Sequence, residues 1–382
     1  MRIKQLTYLI LLLILASCIK AYNPNFKDNA TQKYVVQGMV SNQEGWQEID
    51  ISISSSLSQI GYFPIEGCQV EIIDDENNKF DLEEYEKGKY RVWMSQEYLV
   101  VDRSYKTRIV LPNADILESS YDQMPAGPEI EDVFFEIKDL PTSEPDEWIK
   151  GIQYYTNLKA NNEQSRFYRW QITETWEFHS AYPKEFYYDG VVNHIFPPDY
   201  SDFYCWTTRA VDEIFTLSTQ SLSENEYANL PLHYVSNTTE RLSVLYSFML
   251  RQIALSEAAY QYWDELRINN TIGEGLYASQ PLAIKGNIVN TTNPDMEVLG
   301  FFQASSETSK RIFTEPIDQL ELDYSDKCSP ALLRKGLLEI TPNMYPAWLM
   351  EDRGFWIPVL MNDECVDCTL RAGKTEKPIF WP

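Results

Sequence analysis

The sequence has few residues of the types on which common catalytic sites depend. It contains three histidines, and glycine accounts for 15 of its 382 residues. It has no His-Glu-x-x-His zinc helix, no Gly-x-Ser-x-Gly nucleophile elbow and no glycine-rich phosphate loop. These absences remove the signatures of metalloproteases, serine hydrolases and P-loop proteins. We therefore expect a protein that is not an enzyme and that has no cofactor.

Basic residues are also scarce. Lysine and arginine number 32 against 57 aspartates and glutamates, which gives a net charge of −25. Nucleic-acid binding requires a basic surface, and anionic headgroups attract polybasic segments. We therefore expect no nucleic-acid partner, and we interpret the negative charge as a solubility feature rather than as a cation site.

Carboxylates alone are able to carry acid–base catalysis without a sequence motif. Glu174 and Glu177 lie beside Trp176 and are the pair considered for this role. In so acidic a chain we interpret them as exposed, solvated side chains. A carboxylate-dependent hydrolase is accordingly the third functional hypothesis.

A single long apolar run occurs, and it lies at the N-terminus. Arg2 and Lys4 precede residues 6–15, which are apolar except for Thr7 and Tyr8. This is the pattern of a secretory signal peptide, and it is about half the roughly 20 residues needed to cross a bilayer.

The run ends in Leu15-Ala16-Ser17-Cys18, the pattern of a bacterial lipoprotein processing site. We predict that residues 1–17 are removed and that Cys18 becomes the acylated N-terminus, with the lipid bilayer as its partner. Residues 18–33 lack periodicity and are predicted to be a tether. An ordinary signal peptide followed by a cysteine is the alternative.

The remaining cysteines are interpreted through the oxidising compartment that export implies. Cys205, Cys328, Cys365 and Cys368 allow three pairings. We favour Cys328 with Cys365 and Cys205 with Cys368, and a bridge from Cys365 to Cys368 is the alternative. A zinc site is disfavoured because the first two are far apart and no histidine accompanies them, so we predict no metal. Cys68 alternates with Val70 and Ile72 and is predicted to be a small buried hydrophobe.

Period-two alternation begins at Tyr34 and predicts half-buried strands. The predicted strands are residues 34–40, 49–53, 68–73, 89–93, 105–111 and 117–121. Turn-forming residues occupy 74–79 and 86–88. Six short strands at this spacing predict an immunoglobulin-like β-sandwich over residues 34–124.

A proline- and glycine-containing break at residues 124–128 is the predicted domain boundary. Residues 125–382 are predicted to form a larger β-rich domain, with a buried strand within 242–255 whose Arg251 finds a partner. A helix is predicted near 256–268, capped by Ser256 and ending at Asn269-Asn270. Short strands at 284–290, 298–304 and 310–314 and a disulfide-bonded C-terminal segment follow.

Aromatic residues are dense between residues 167 and 206. Tyr168, Trp170, Ile172, Trp176 and Phe178 alternate, which predicts an inward-facing strand. Residues 182–204 also contain prolines and a glycine, and we interpret them as an excursion rather than a strand. Exposed aromatics on such an excursion are candidates for ligand or partner contact. The candidates are Tyr182, Phe186, Tyr187, Tyr188, His194, Phe196 and Tyr200.

An ordered series of short motifs spans nearly the whole mature chain. The series is Tyr34-Val35-Val36-Gln37-Gly38, Cys205-Trp206, residues 246–252 leading into 259–263, Gly286-Asn287-Ile288, residues 298–302, Cys365-Val366-Asp367-Cys368 and residues 377–381. In this series the chain resembles the Bacteroidota outer-membrane lipoprotein family catalogued as domain of unknown function 4249.

The resemblance implies an outer-membrane lipoprotein of a family that often accompanies TonB-dependent transporters, with no established catalytic residues to carry over. We therefore expect an accessory or lid subunit of such a barrel, with an unknown glycan or peptide as its ligand. A free-standing surface binding protein or adhesin is the alternative. Surface-exported lipoproteins of this phylum commonly have acidic residues after the lipidated cysteine, whereas Ile19-Lys20-Ala21-Tyr22 follow here. The cell surface is the expected location, and the periplasmic face is the alternative.

Replacing Cys18 with serine should release the protein from membranes. Each acyl CH₂ buried in a bilayer contributes about 0.8 kcal/mol, so the anchored form is held by its lipid chains. Metabolic labelling with a palmitate analogue, followed by membrane fractionation, should find the wild-type protein labelled and in the membrane fraction. The Cys18→Ser variant should be unlabelled and in the soluble fraction. Equal labelling of the two forms would show that the anchor is elsewhere.

Overall fold

A computed structural model of the protein describes residues 32–55, 61–142, 146–272, 284–325, 327–352 and 355–382. The predicted signal peptide, Cys18 and the tether up to residue 31 lie outside the described residues. Within the described part the chain is mainly β, which confirms the predicted fold class. No helix in these ranges is long and apolar enough to cross a membrane.

Strands occupy most of the described chain. In the N-terminal part they are β1 (Tyr34–Ser41), β2 (Gly45–Ile53), β3 (Phe63–Pro64), β4 (Gln69–Asp74), β5 (Lys79–Glu86), β6 (Lys89–Met94), β7 (Ser104–Val110), β8 (Ile116–Ser119) and β9 (Asp122–Gln123). They are followed by β10 (Asp132–Pro141), β11 (Trp148–Lys159), β12 (Phe167–His179), β13 (Lys184–Tyr188), β14 (Val192–Asp199), β15 (Tyr204–Ala210), β16 (Phe215–Ser218), β17 (Glu226–Ser236) and β18 (Leu245–Ala254). The helix α1 (Glu257–Ile272) and β19 (Ile288–Asn290), β20 (Val298–Thr314), β21 (Ala331–Leu332), β22 (Ala347–Asp352) and β23 (Phe355–Met361) complete the described elements.

The N-terminal strands form a sandwich-like unit around one core. Each of the six predicted strands corresponds to an observed one, whereas β5 and the two-residue strands β3 and β9 were not predicted. The hydrogen-bonded order runs β1-β2-β6-β5-β4-β7-β8-β19. Alternate residues such as Val36, Ile51, Ile72 and Ile109 are fully buried, as period-two patterning requires. Cys68 is a free, buried thiol in this core, which confirms its interpretation.

The strand β20 joins this unit to the rest of the chain. Its first half pairs with β1 in parallel, from Tyr34 opposite Val298 to Ser41 opposite Ser305. Its second half pairs with β18 in antiparallel orientation. The two strands predicted here are therefore one strand of 17 residues. The division at residue 124 stays a prediction, and the sheet continues across it.

Gly300 marks the closest backbone approach along this junction. Its φ is +97°, and a Cβ atom placed on it would lie 1.9 Å from the carbonyl oxygen of Val36. Only glycine fits both requirements, because L side chains rarely adopt this φ and would collide with β1. This position therefore fixes the parallel pairing of β1 with β20.

The second core lies between β12, β18 and a three-stranded sheet ordered β10-β11-β17. Tyr168, Trp170, Ile172, Trp176 and Phe178 all point into it and are at most 8% exposed, which confirms the predicted stripe. From the facing sheet, Tyr154 stacks on Phe248 with ring centroids 4.1 Å apart. Seven of the 20 buried residues described in this core are aromatic, and their large rings bury much apolar surface.

The opposite side of the same strands faces outward and is called the outer face. Arg169 lies opposite Ile253, which lies opposite Glu307, and directly opposed residues share one face of a sheet. Gln171 and Arg251 form the next such pair. Arg251 Nε lies 2.6 Å from a carboxylate oxygen of Glu307, so the predicted partner of this charged residue is confirmed.

The helix α1 covers one end of the outer face. The Ala259 N–H donates to Ser256 Oγ at 3.2 Å, which is the predicted N-cap, and Leu255 and Tyr260 pack in the same cluster. The predicted end at Asn269-Asn270 was wrong, because the helix continues to Ile272. Asparagine lowers helix propensity but, unlike proline, keeps its N–H donor.

A separate sheet has the order β14-β13-β22-β23-β21. Residues 184–199, interpreted as an irregular excursion, are in fact a β-hairpin of β13 and β14. The prolines that suggested irregularity, Pro197 and Pro198, lie in β14 at the edge of this sheet. An edge strand tolerates proline because its outward N–H groups have no partner strand.

Asp122 ties three segments together from a buried position. One of its carboxylate oxygens accepts the Ala304 N–H of β20 at 2.8 Å, and the Ser256 hydroxyl at the start of α1 is its other partner. The residue is 5% exposed. Burial raises the pKa of Asp122 to about 6, although both hydrogen bonds act to lower it.

The Asp122 carboxyl should make stability depend on pH. Its folded pKa of about 6 lies above the unfolded value, so its stabilising contribution is complete below about pH 4 and is lost as pH rises through 6. A shift of this size corresponds to about 3 kcal/mol. The free energy of unfolding of Asp122→Asn, relative to that of the wild type, should therefore rise by about 3 kcal/mol as the pH increases from 4 to 7.5. Urea unfolding at several pH values measures this, and parallel curves for the two proteins would contradict it.

Candidate functional site

The hairpin of β13 and β14 carries most of the predicted contact residues. Its turn passes through Gly190, whose φ is +112°. The Asn193 side chain stabilises the turn by donating to Asp189 Oδ1 at 2.9 Å and to the Val191 carbonyl. The hairpin is held against the body through pairing of β13 with β22.

Four of the candidate residues pack against the protein. Phe186 and Tyr188 contact a small core that contains Leu349. Tyr187 lies edge-on to Trp348, with centroids 5.9 Å apart. Tyr182 packs beside the Cys328–Cys365 bridge, and its N–H donates to the Cys365 carbonyl at 2.9 Å. These four side chains hold the hairpin region against the rest of the protein.

The other three candidates face solvent. His194 stacks on Phe186 at 4.5 Å and lies 5.8 Å from Phe196. Phe196 is 83% exposed. Tyr200 is 47% exposed and stacks edge-on with Phe203, which in turn contacts Tyr204. Contact of these rings with a ligand or partner stays a prediction, and the structure places them where such contact is sterically open.

Two disulfides fix the region around the hairpin. Cys205 of β15 is bonded to Cys368, and Cys328 is bonded to Cys365, which is the pairing favoured from the sequence. The alternative bridge between Cys365 and Cys368 is therefore absent. All four sulfur atoms are used in these bonds and are not available to a metal. Within the described ranges no group of three or more His, Cys, Asp or Glu side chains is placed to hold a metal ion.

The C-terminal segment binds across β12 and β15 as a strap of residues 365–382. Trp206 and Lys374 exchange two backbone hydrogen bonds of 2.9 Å. The Trp381 indole N–H donates to Glu177 Oε2 at 2.9 Å, and Trp381 is 7% exposed. The strap therefore makes the chain's last residues part of the fold.

Glu174 lies at the centre of a buried ionic cluster that the sequence did not predict. Its carboxylate accepts from Arg241 at 3.0 Å and from the Tyr246 hydroxyl at 2.7 Å. Arg209 reaches it at 2.5 Å and His233 at 3.6 Å. Burial acts to raise the pKa of Glu174, but these partners outweigh it and hold the pKa well below its usual range.

The interpretation of Glu174 as an exposed carboxylate is wrong, since its side chain is fully buried. Glu174 points into the core, whereas Glu177 alternates to the other side of β12 and also accepts from His179 at 2.8 Å. Two carboxylates on opposite faces of one strand do not flank a single bond in the way that glycosidic hydrolysis requires. No local spacing signals the cluster, because its five members come from four strands and the turn that precedes the last of them.

The sequence matches the family described as "Domain of unknown function (DUF4249)" over residues 19–311. The chain belongs to this family. No curated protein matches this DUF4249 chain.

Five chains of solved structures are similar to this DUF4249 protein. One of them is trypsin-activated alpha-2-macroglobulin from Escherichia coli, with 9% identity and a TM-score of 0.19. The similarity covers 60% of this chain and 15% of that one. A TM-score of this size supports no argument about fold or function.

Removal of each disulfide should destabilise the protein by a different amount. The Cys205–Cys368 bridge spans 163 residues and the Cys328–Cys365 bridge spans 37. Loop-closure entropy gives about 5 and about 4 kcal/mol respectively. Paired Cys→Ser variants, compared by urea unfolding, should both lose stability, with the larger loss for Cys205/Cys368. The buried free thiol gives the control, because Cys68→Ser breaks no covalent link.

Proposed function

We propose that this DUF4249 protein is a lipid-anchored, non-catalytic outer-membrane subunit that acts as an accessory or lid of a TonB-dependent transporter in nutrient uptake. The β body docks on the barrel, and the aromatic hairpin contributes contact with the partner or with its substrate. The lipoprotein pattern at Cys18 and the family resemblance support the location and the class of partner.

The observation that carries the proposal is the placement of Phe196. A phenylalanine that is 83% exposed gains nothing from the fold and keeps a large apolar surface in water. Aromatic side chains of this kind contribute most to binding when a partner desolvates them. His194 and Tyr200 extend the exposed aromatic surface along the hairpin and the segment after it.

The hairpin favours side-chain contact over strand addition. The strand β14 lies at the edge of its sheet, where unpaired N–H and C=O groups would invite another strand. Successive N–H groups of a strand point to opposite sides, so one of the adjacent residues Pro197 and Pro198 removes a donor from the open edge. The proposed interface therefore consists of aromatic rings that insert into a partner surface.

A free-standing surface protein that binds a glycan or a peptide is the second candidate. The exposed rings support it as well, since aromatic faces bind both ligand classes. Ligand binding by the isolated protein, without any barrel, would favour this candidate.

The proposal is tested by purification of the native lipoprotein from membranes in mild detergent through a C-terminal tag. A TonB-dependent barrel should co-purify with the wild-type chain, and the Phe196→Ala/Tyr200→Ala variant should retain about a tenth as much or less. Trp148→Ala is the matched control, because Trp148 is a 61% exposed aromatic on β11, outside the hairpin.

Protease treatment of intact cells of the same strain reports which membrane face the protein occupies. Loss of the tag together with co-purification of the barrel would support an external accessory. A protein that elutes alone and is protected from protease would refute the lid and indicate a periplasmic role.

A further inference from the structure

Two adjoining cavities form a groove on the outer face. One has a volume of about 430 Å³ and the other about 610 Å³. Arg169, Gln171, Arg251 and Glu307 line both, so these four side chains lie at the middle of the groove. The larger cavity continues toward Arg311, and the smaller one crosses β20 and β1 to reach β2. These volumes lie in the range of small-ligand sites.

Arg169 is an unsatisfied cation in the wall of this groove. Its guanidinium stacks on Trp263, with Cζ 3.3 Å from the ring centroid, and it makes no hydrogen bond or ion pair with any residue that the structure describes. The Nε atom is buried without an acceptor. Burial, with the nearby Arg251 as a second cause, lowers the pKa of Arg169 to about 9. Such a group lacks the partner that a buried charge normally requires.

The stacked geometry suits a planar anion. A guanidinium that lies on an aromatic ring keeps its in-plane N–H groups free, and these match a carboxylate in a bidentate arrangement. Arg251 is adjacent, but Glu307 already balances it. Arg311 donates to Ser247 Oγ at 2.7 Å and has no carboxylate partner among the described residues. Arg311 also stacks on Phe380, with its Cζ 3.5 Å from the ring centroid, so it is directed to other partners. Of these three arginines, Arg169 alone is without a polar partner within the residues that the structure describes, and one guanidinium suits the single charge of a carboxylate better than the double charge of a phosphate.

The far end of the groove has the opposite charge. Glu44, Glu48 and Asp50 line the smaller cavity together with Trp46. Glu48 and Asp50 form no salt bridge within the described part of the chain. Burial, with Glu48 and Glu86 as further causes, outweighs Lys89 and raises the pKa of Asp50. Lys89 and Arg91 lie opposite Asp50 and Glu48, but they form salt bridges with Glu86 and Glu83. A surplus of carboxylates therefore remains at this end, opposite a guanidinium without an anion.

We propose that this groove binds a short peptide, with the terminal carboxylate on Arg169 and Arg251 and the amino end beside Glu48 and Asp50. A peptide with free ends carries both charges that the groove lacks. An acidic sugar such as a uronate would satisfy only Arg169 and would leave the acidic end unmatched.

The length of the groove sets the length of the peptide. Arg169 lies on β12 and Asp50 on β2, and the sheet order between them is β12-β18-β20-β1-β2. Four spacings of about 4.8 Å give about 19 Å across the strands. The two residues are also offset along the strands by about 20 Å, because the cross-strand row of Asp50 meets β20 at Phe301 and that of Arg169 meets it at Glu307. The ends are thus about 28 Å apart, and since an extended chain advances about 3.3 Å per residue, about eight residues bridge them. The site does not depend on docking of the hairpin to a barrel, and its test is separate.

The experiment uses the full-length lipoprotein, purified in detergent and immobilised. It is incubated with a pool of random octapeptides with free ends, with the same pool amidated at the C-terminus, and with the pool acetylated at the N-terminus. Bound peptides are quantified by mass spectrometry. Amidation should reduce retention about tenfold or more, because it removes the anion that a charge-assisted bidentate pair requires.

Variants assign the effect to the groove. Arg169→Gln should reduce retention of the free pool about as much as amidation does. Arg108→Gln, on β7 outside the groove, is the matched control and should bind like wild type. Glu48→Gln/Asp50→Asn should erase the preference for a free over an acetylated N-terminus.

Thermal unfolding distinguishes binding from a structural role. Arg169 has no polar partner to lose, so Arg169→Gln should keep or raise the melting temperature while binding falls. A lowered melting temperature with unchanged retention would mean that the stack on Trp263 is only structural, and the proposal would be wrong. Equal retention of the free and amidated pools, or none of either, would also overturn it. Oligogalacturonate retained through Arg169 in place of peptides would assign the site to an acidic glycan instead.

Discussion

The pairing of β20 with two different partners is the constraint on which the rest of the structure depends. Its first half completes the N-terminal unit beside β1, and its second half completes the aromatic core beside β18. Since β20 takes part in both cores without interruption, the strands around the two cores belong to one continuous sheet. Gly300 permits the close approach to β1, and Asp122 fastens the same strand to the start of α1.

Both candidate surfaces follow from this arrangement. The outer face exists as one groove because β12, β18, β20, β1 and β2 are hydrogen-bonded neighbours in one sheet. Carboxylates of β2 and arginines of β12 and β18 therefore line the same groove. The hairpin is a second and separate surface, held by the small sheet and the C-terminal strap. The guanidinium of Arg169 thus lies inside the groove, whereas the exposed rings of Phe196 and Tyr200 lie on the separate hairpin surface.

The sequence predicted the features that depend on local patterning. Alternation located the inward stripe of β12, and Ser256 located the start of α1, because burial period and capping act over a few residues. The strand β5 was missed because most of its side chains are exposed and charged. The length of β20 and the cluster at Glu174 depend on partners far away in the chain, and no local pattern carries that information. The role proposed for Arg169 could not be predicted from the sequence either, since its lack of a polar partner is visible only in three dimensions.

The strap has a consequence for the order in which the molecule becomes complete. A ribosome releases the N-terminal part of a chain first, so Cys205 emerges 163 residues before the cysteine to which it bonds. The strands β12 and β15 must wait for the final residues before Trp381 and Lys374 cover them. A chain truncated by a few dozen residues would keep its N-terminal unit but would expose this region to proteases. Residues 365–382 are therefore required to close this side of the aromatic core.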